Sequence, residues 1–244
     1  MECVNDDRMQ TILILGATSP IGAALSEQFS NGNGIVLSAR NQARLNVVAD
    51  RCAKAGAVAV RTVVADLAHS IQPIADANSE CAFDLIIDAS SASSHSRDPD
   101  VASDAMGSII QADILSHLDL YQKLARVNGK HPNIVFISTV LSIVKTPGRE
   151  IYSATKRLLE IYLEKMAANE PDVRVLIFRI GKQIDPKKDS PQAAALAKRV
   201  QYEFSAGNTS AIYGISGRFL VVLKSFHPAV LNVVVRTRRI LRGK

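Results

Sequence analysis

Tyr152 and Lys156 stand four residues apart in the run Tyr152-Ser153-Ala154-Thr155-Lys156. On a helix that spacing puts both side chains on one face, with the ammonium close to the phenol. A neighbouring cation favours phenolate and lowers a pKa of about 10 in isolation, which makes the tyrosine an acid or base usable near neutrality. Earlier in the chain, Ile137-Ser138-Thr139 closes an apolar run. There Thr139, with Ser138 as a neighbouring candidate, can bring a hydroxyl to the same point. A bare Tyr-x-x-x-Lys also occurs on solvated helix faces, so its weight comes from the features that accompany it.

The first of these is Gly16-Ala17-Thr18-Ser19-Pro20-Ile21-Gly22, directly after a short apolar run and directly before a helical pattern. A glycine turn there can set backbone N–H groups and a helix N-terminus against a pyrophosphate, or it can be an ordinary tight turn. The hydroxyls of Thr18 and Ser19 either donate to phosphate or cap the helix. Pro20 is tolerable in a first helical turn, because the N–H it removes has no intrahelical partner. After the second apolar run comes Ser38-Ala39-Arg40-Asn41. A carboxylate here would bind two ribose hydroxyls, whereas the guanidinium of Arg40 accommodates a 2′-phosphate and points to NADP(H) rather than NAD(H). Asp66, followed by Leu67, suits an adenine amino group or simply a turn.

These residues need elements to hold them. Apolar, β-branched runs at Thr11 to Leu15, Ile35 to Ala39, Val58 to Ala65, Phe83 to Ala89, Asn133 to Ile137 and Val173 to Ile180 predict six strands of the type covered on both faces. Helical patterns follow through Ile21, Leu25 and Phe29, through Leu45 and Val48, from Val101 to Val127, and from Ile151 to Ala168. Ser190-Pro191 starts another helix to about Ala206, and Ala211 to Tyr213 is a candidate seventh strand. Alternating strand and helix implies an α/β fold, a doubly wound parallel sheet in three α/β/α layers of the Rossmann type. Its ligand crevice lies at the carboxyl ends of the strands, where every motif above falls. No linker divides the chain, so residues 10–244 are expected to form one domain after a tail of residues 1–9.

The 244 residues are 47% hydrophobic and 21% charged. That composition excludes disordered and low-complexity classes. Cys3, Cys52 and Cys81 are odd in number and lack C-x-x-C spacing, which argues against a disulfide framework or a metal site and for a reducing compartment. No apolar segment reads as a signal peptide or a spanning helix, so a cytoplasmic protein is expected. The net charge of +6 is carried by the end of the chain: Arg218, Lys224, Arg236, Arg238, Arg239, Arg242 and Lys244 have no acidic residue among them, and the rest sums to −1. A basic footprint confined to a tail gives no reason to expect nucleic acid.

Together the glycine turn, Arg40, the Ser138-Thr139 strand end and Tyr152-Ser153-Ala154-Thr155-Lys156 resemble the short-chain dehydrogenase/reductase family, over about residues 10 to 185. The resemblance implies hydride transfer between nicotinamide and a carbonyl carbon of a small ketone or secondary alcohol. Tyr152 would be the proton donor, Thr139 would polarise the substrate oxygen, and Lys156 would lower the tyrosine pKa and hydrogen-bond the nicotinamide ribose. Asp113 stands in the place of an asparagine that supports the proton relay. The implied cofactor contacts are Gly16, Thr18, Ser19, Pro20, Ile21, Gly22, Arg40, Asp66, Leu67, Ala89, Tyr152 and Lys156, and the implied assembly is a homodimer or homotetramer. The chain departs from the family at Pro20, at Ile87-Asp88-Ala89-Ser90 in place of Asn-Asn-Ala-Gly, at Ile180-Gly181 in place of Pro-Gly, and at Asp113.

Substrate selection is expected from residues 182–244 and from the Ser90 to Asp100 loop, where His95 is either a substrate contact or solvated. The tail mixes apolar clusters with its cations, which suits an amphipathic element on the anionic inner membrane face or a packing segment. It is also loosely similar to the tails of bacterial reductases of keto-sugars attached to polyprenyl phosphate, which implies a hydrophobic or lipid-linked substrate. Two other readings remain open: an NADP(H)-binding sensor or scaffold without turnover, motivated by Asp113, Asp88 and Ile180, and a sugar-nucleotide epimerase or dehydratase, for which the chain is short.

Overall fold

Seven strands in one parallel sheet place the carboxyl ends of β1, β4 and β5 side by side in the computed structural model, which describes residues 9–91, 103–124, 131–144, 149–181 and 191–214. The expected tail element, His95 and most of the expected substrate segment lie outside the described residues. The strands are β1 (Thr11–Leu15), β2 (Gly34–Ala39), β3 (Ala59–Val64), β4 (Leu85–Asp88), β5 (Asn133–Thr139), β6 (Val175–Ile180) and β7 (Ser210–Tyr213). Their order is β3-β2-β1-β4-β5-β6-β7. The order reverses between β1 and β4, where Leu15 is in register with Ser38 on one side and with Asp88 on the other. A crevice opens at such a switch point because the connections leave to opposite faces.

Strand alternation divides the core in two. Ile12, Ile14, Leu37, Ile87, Val135 and Phe178 face one layer, with Leu25 and Phe29, Leu45 and Val48, and Leu196 and Val200 against them. These come from α1 (Pro20–Gln28) with its C-cap Phe29, α2 (Gln42–Lys54) and α7 (Pro191–Ser205). Leu13, Leu15, Ile86, Phe136 and Ile177 face the other layer, with Ile74, Leu120, Tyr121, Leu159 and Leu163. These come from α3 (Gln72–Glu80), α5 (Ser116–Leu124) and α6 (Glu150–Asn169). Each fully buried Leu or Ile contributes roughly 1.5–3 kcal/mol, so the sheet is held from both sides.

Local chemistry fixes the helix starts nearest the crevice. Ser19 caps α1 by accepting the Gly22 N–H at 3.0 Å, with Pro20 in the first turn. Asn41 caps α2 by accepting the Arg44 N–H at 3.0 Å.

Three elements differ from the sequence reading. The helix α3 is not foreseen by the periodicity. The single helix expected from Val101 to Val127 is α4 (Ser103–Ile110), a π-helical turn at Gln111–Leu115, and α5. Strand β5 ends at Thr139, the strand end read in the sequence, and an unforeseen short 3₁₀ turn at Val140–Ser142 follows it. Among the described residues, no helix is long and apolar enough to cross a membrane, and no group of three His, Cys, Asp or Glu side chains is placed to hold a metal ion.

Candidate active site

The glycine turn is dictated by contact with the end of β4. Gly16 has φ +70°, and a Cβ there would lie 2.8 Å from the Ala89 carbonyl oxygen and 2.9 Å from Ser90 Cα. A Cβ on Gly22 would fall 2.2 Å from the Gly16 carbonyl oxygen. Both positions therefore exclude side chains by backbone packing. The turn is tied to β2 by Ala17 N–H donating to the Ser38 carbonyl at 3.1 Å. Of the two uses open to Ser19, the structure shows the cap. The N-terminus of α1, with the first-turn N–H of Ile21, thus opens at the carboxyl end of β1 beside Ala89, a geometry suited to an anion.

The adenosine-side candidates lie along the neighbouring strand ends. Arg40 is exposed just beyond β2. Arg44, not singled out by the sequence, reaches back to donate to the Thr18 carbonyl at 2.9 Å. Asp66 serves a turn: its Oδ1 accepts the Ala68 N–H at 3.1 Å, and Oδ2 lies 3.3 Å from His69 Nδ1. The Leu67 carbonyl accepts the Ser116 hydroxyl, which ties this corner to α5.

Thr139, Tyr152 and Asp113 converge from β5, α6 and the π turn. Thr139 ends β5, and its Oγ1 accepts the Leu141 N–H at 3.2 Å, which closes the 3₁₀ turn. Burial, then the charge of Asp113, raises the Tyr152 phenol above its ordinary pKa, against smaller lowering effects from Arg149 and a hydrogen bond with Thr139. This corrects the expectation that a nearby ammonium lowers it. Lys156 is buried, and its Nζ donates instead to the Ser90 carbonyl at 2.9 Å and lies 4.7 Å from the Phe136 ring centroid. Asp113 is buried in the π turn.

Ser138 is placed elsewhere, and its candidacy is corrected. Strand alternation turns it towards α6, where its Oγ donates to Glu160 Oε1 at 2.5 Å. Glu160 is fully buried and receives Arg179 through Nε at 3.1 Å and Nη2 at 2.9 Å, with Ser142 Oγ at 2.7 Å. The Ser138 hydroxyl is spent on an ion pair inside the fold and cannot polarise a substrate.

Beneath Lys156 lies a polar cluster that the sequence reading does not assemble. Asp88, at 0% exposure, accepts the Ser90 N–H at 3.0 Å, Ser90 Oγ at 2.7 Å and Tyr121 Oη at 2.6 Å, and lies 3.1 Å from His117 Nε2. Burial pushes the Asp88 carboxyl up, but His117, Lys156 and the Tyr121 hydrogen bond outweigh it and hold the group well below the usual carboxylate range. Burial and the Asp88 charge push the Tyr121 phenol well above its usual value.

The arrangement can hold a phosphate-bearing dinucleotide across β1 and β4 and present a buried phenol and a hydroxyl beside it. Its residues fit a nicotinamide dinucleotide by their chemistry: a helix N-terminus for the pyrophosphate, an exposed guanidinium at the adenosine end, and an ammonium and a phenol at the other. The profile of the family described as short chain dehydrogenase matches residues 10–181. No curated protein sequence matches. Among solved structures, a short-chain dehydrogenase from Sphingobium yanoikuyae in complex with NADPH is 21% identical, with 96% of each chain covered and a TM-score of 0.73. A short chain dehydrogenase from Burkholderia cenocepacia in complex with NADP is 17% identical over 83% of this chain and 95% of that one, with a TM-score of 0.71. A bulky-bulky ketone specific alcohol dehydrogenase from Comamonas testosteroni is 18% identical over 97% and 95%, with a TM-score of 0.72.

Proposed function

The chain belongs to the short-chain dehydrogenase family of NAD(P)-dependent oxidoreductases, and from that premise we propose that it is an NADP(H)-dependent reductase of a ketone. The observation that carries this reading is the meeting of Thr139 and Tyr152 at the end of β5, with Lys156 one turn further along α6. NADPH, when bound, supplies the hydride that reduces the carbonyl carbon. The Thr139 hydroxyl orients the carbonyl oxygen, and the Tyr152 phenol gives that oxygen its proton. A phenol raised by burial and by Asp113 keeps its proton at neutral pH, as an acid in reduction must, but it gives that proton up less readily than one whose pKa lies near the working pH. Lys156 offers its remaining donors to the nicotinamide ribose. Gly16, Thr18, Ser19, Ile21 and Gly22 shape the pyrophosphate site, with Pro20 fixing the first turn of α1. Asp66, Leu67 and Ala89 line the route to the adenosine end.

The substrate is a small carbonyl compound, and the apolar, basic composition of residues 215–244 supports a hydrophobic or lipid-linked one. A homo-oligomer is supported by Leu158 and Ile161 on α6 and by Ile110 and Leu115 on the α4–π segment, which stay exposed.

The decisive experiment is NADPH oxidation with a panel of ketones. Tyr152→Phe is expected to lower turnover by about 10²–10⁴-fold while the NADPH Kd stays within about twofold. Equal turnover by both proteins removes the assigned acid. A second reading, a cofactor-binding sensor without turnover, is favoured by the buried Asp113 carboxylate facing the phenol. Tight NADPH binding with no hydride transfer to any ketone would establish it instead.

A further inference from the structure

His117 belongs to the first turn of α5, directly after the π turn, and joins that turn to the end of β4. Its Nδ1 lies 2.8 Å from the Ala112 carbonyl oxygen, in the π turn itself. Its Nε2 lies 2.9 Å from Ser90 Oγ and 3.1 Å from Asp88 Oδ2. The hydrogens follow from the partners. A carbonyl only accepts, so Nδ1 carries a hydrogen. Ser90 Oγ gives its hydrogen to Asp88 Oδ1 at 2.7 Å, and Nε2 sits against both Ser90 Oγ and the fully buried Asp88 Oδ2. Serine, histidine and aspartate are present, but this is no nucleophile-activating triad: the carboxylate and the serine share one ring nitrogen, and the other is spent on Ala112.

What the pair does is visible one bond further on. Asp88 Oδ1 accepts both the N–H and the hydroxyl of Ser90, which sets the backbone of that residue. The Ser90 carbonyl in turn takes Lys156 Nζ at 2.9 Å, and Ser90 Cα is one of the atoms that leave no room for a side chain on Gly16. Tyr121 donates to the other carboxylate oxygen and stacks on Tyr162 of α6, with ring centroids 6.4 Å apart. A displaced carboxylate would release Ser90, and with it the direction of the ammonium. We propose that His117 is a positioning residue for Lys156, acting through Asp88 and the Ser90 carbonyl. The inference rests on the reading above, in which Lys156 serves the cofactor.

The test is NADPH titration, followed by the cofactor's own fluorescence, of the full chain as wild type, His117→Gln, Lys156→Ala and the double variant. If His117 acts through Lys156, His117→Gln raises the NADPH Kd about tenfold in the wild-type background and less than twofold in the Lys156→Ala background, because contacts in one chain of interactions are not additive. Equal losses in both backgrounds, or an unchanged Kd, overturn the proposal. Should His117→Gln fail to fold, Asp88→Asn combined with His117→Gln removes both members of the pair at once and is expected to show the same loss, again only where Lys156 is present. If neither folds, the cluster is structural and the positioning role is rejected. A wild type that binds NADPH yet reduces no ketone ends the reductase reading and leaves this cycle readable; one that binds no NADPH ends both.

Discussion

Asp113 places a carboxylate in the π turn where its charge bears on the Tyr152 phenol, and the consequence is a shifted pH profile. A phenol raised in this way stays protonated further into alkaline solution. Oxidation of a secondary alcohol, which needs phenolate, should therefore rise only on the alkaline side, while ketone reduction stays level through neutrality. Asp113→Asn removes the negative charge, so the alkaline limb of oxidation is expected to move to lower pH; an unmoved limb in kcat/KM profiles would show that Asp113 does not bear on the phenol. At the cofactor's other end, Arg40 is exposed beyond β2 and suited to a 2′-phosphate. NADPH is expected to raise the Tm more than equimolar NADH, and Arg40→Glu to abolish that difference. An equal shift for both cofactors in the wild type would remove Arg40 from cofactor choice.

At the scale of elements, Glu160 on α6 and Arg179 on β6 hold the site's helix against its strands. Ser138 and Ser142 complete the carboxylate on one side, and Arg179 Nη1 continues to Ser210 Oγ of β7 at 2.7 Å. Removing one member of a buried pair strands the other's charge, so Glu160→Gln is expected to cost about 3–5 kcal/mol in urea unfolding. A loss below about 1 kcal/mol would show that the pair behaves as an exposed one. None of this network was legible in the sequence, because Ser138, Glu160, Arg179 and Ser210 come from four elements and no local spacing joins them. The six strands were legible because each is dominated by apolar, β-branched residues, even where Arg61 and Thr62 interrupt β3 and Arg179 interrupts β6, and Thr139, Tyr152 and Lys156 because one strand end and one helical turn define them. The helix α3 was hidden because only Ile74, Ala77 and Asn78 are buried along it and no side chain caps it. The π turn was hidden because a single extra residue per turn barely disturbs a hydrophobic pattern. Lys156 was placed correctly on its helix, but its ammonium belongs to a carbonyl 66 residues away, which spacing cannot reveal.

For the whole molecule, Ile110, Leu115, Leu158 and Ile161 are large apolar side chains left exposed on the α4–π segment and α6, and the proposed homo-oligomer would cover them. Ile161 is 51% exposed and Leu158 43%, one turn apart on α6. Light scattering on the eluting protein should show a dimer or tetramer, and Leu158→Glu with Ile161→Glu should shift it towards monomer; a wild type already monomeric at micromolar concentration would reject that interface. The strand order carries a different consequence, about synthesis. In β3-β2-β1-β4-β5-β6-β7, every strand that leaves the ribosome after β1 joins an open border of the sheet, first on one flank through β2 and β3, then on the other from β4 onward. No pair already formed has to part to admit a newcomer. The nucleotide half can thus be assembled before the phenol is translated, and the Ser210 hydroxyl that meets Arg179 arrives with the last strand of the described sheet, latching the growing flank.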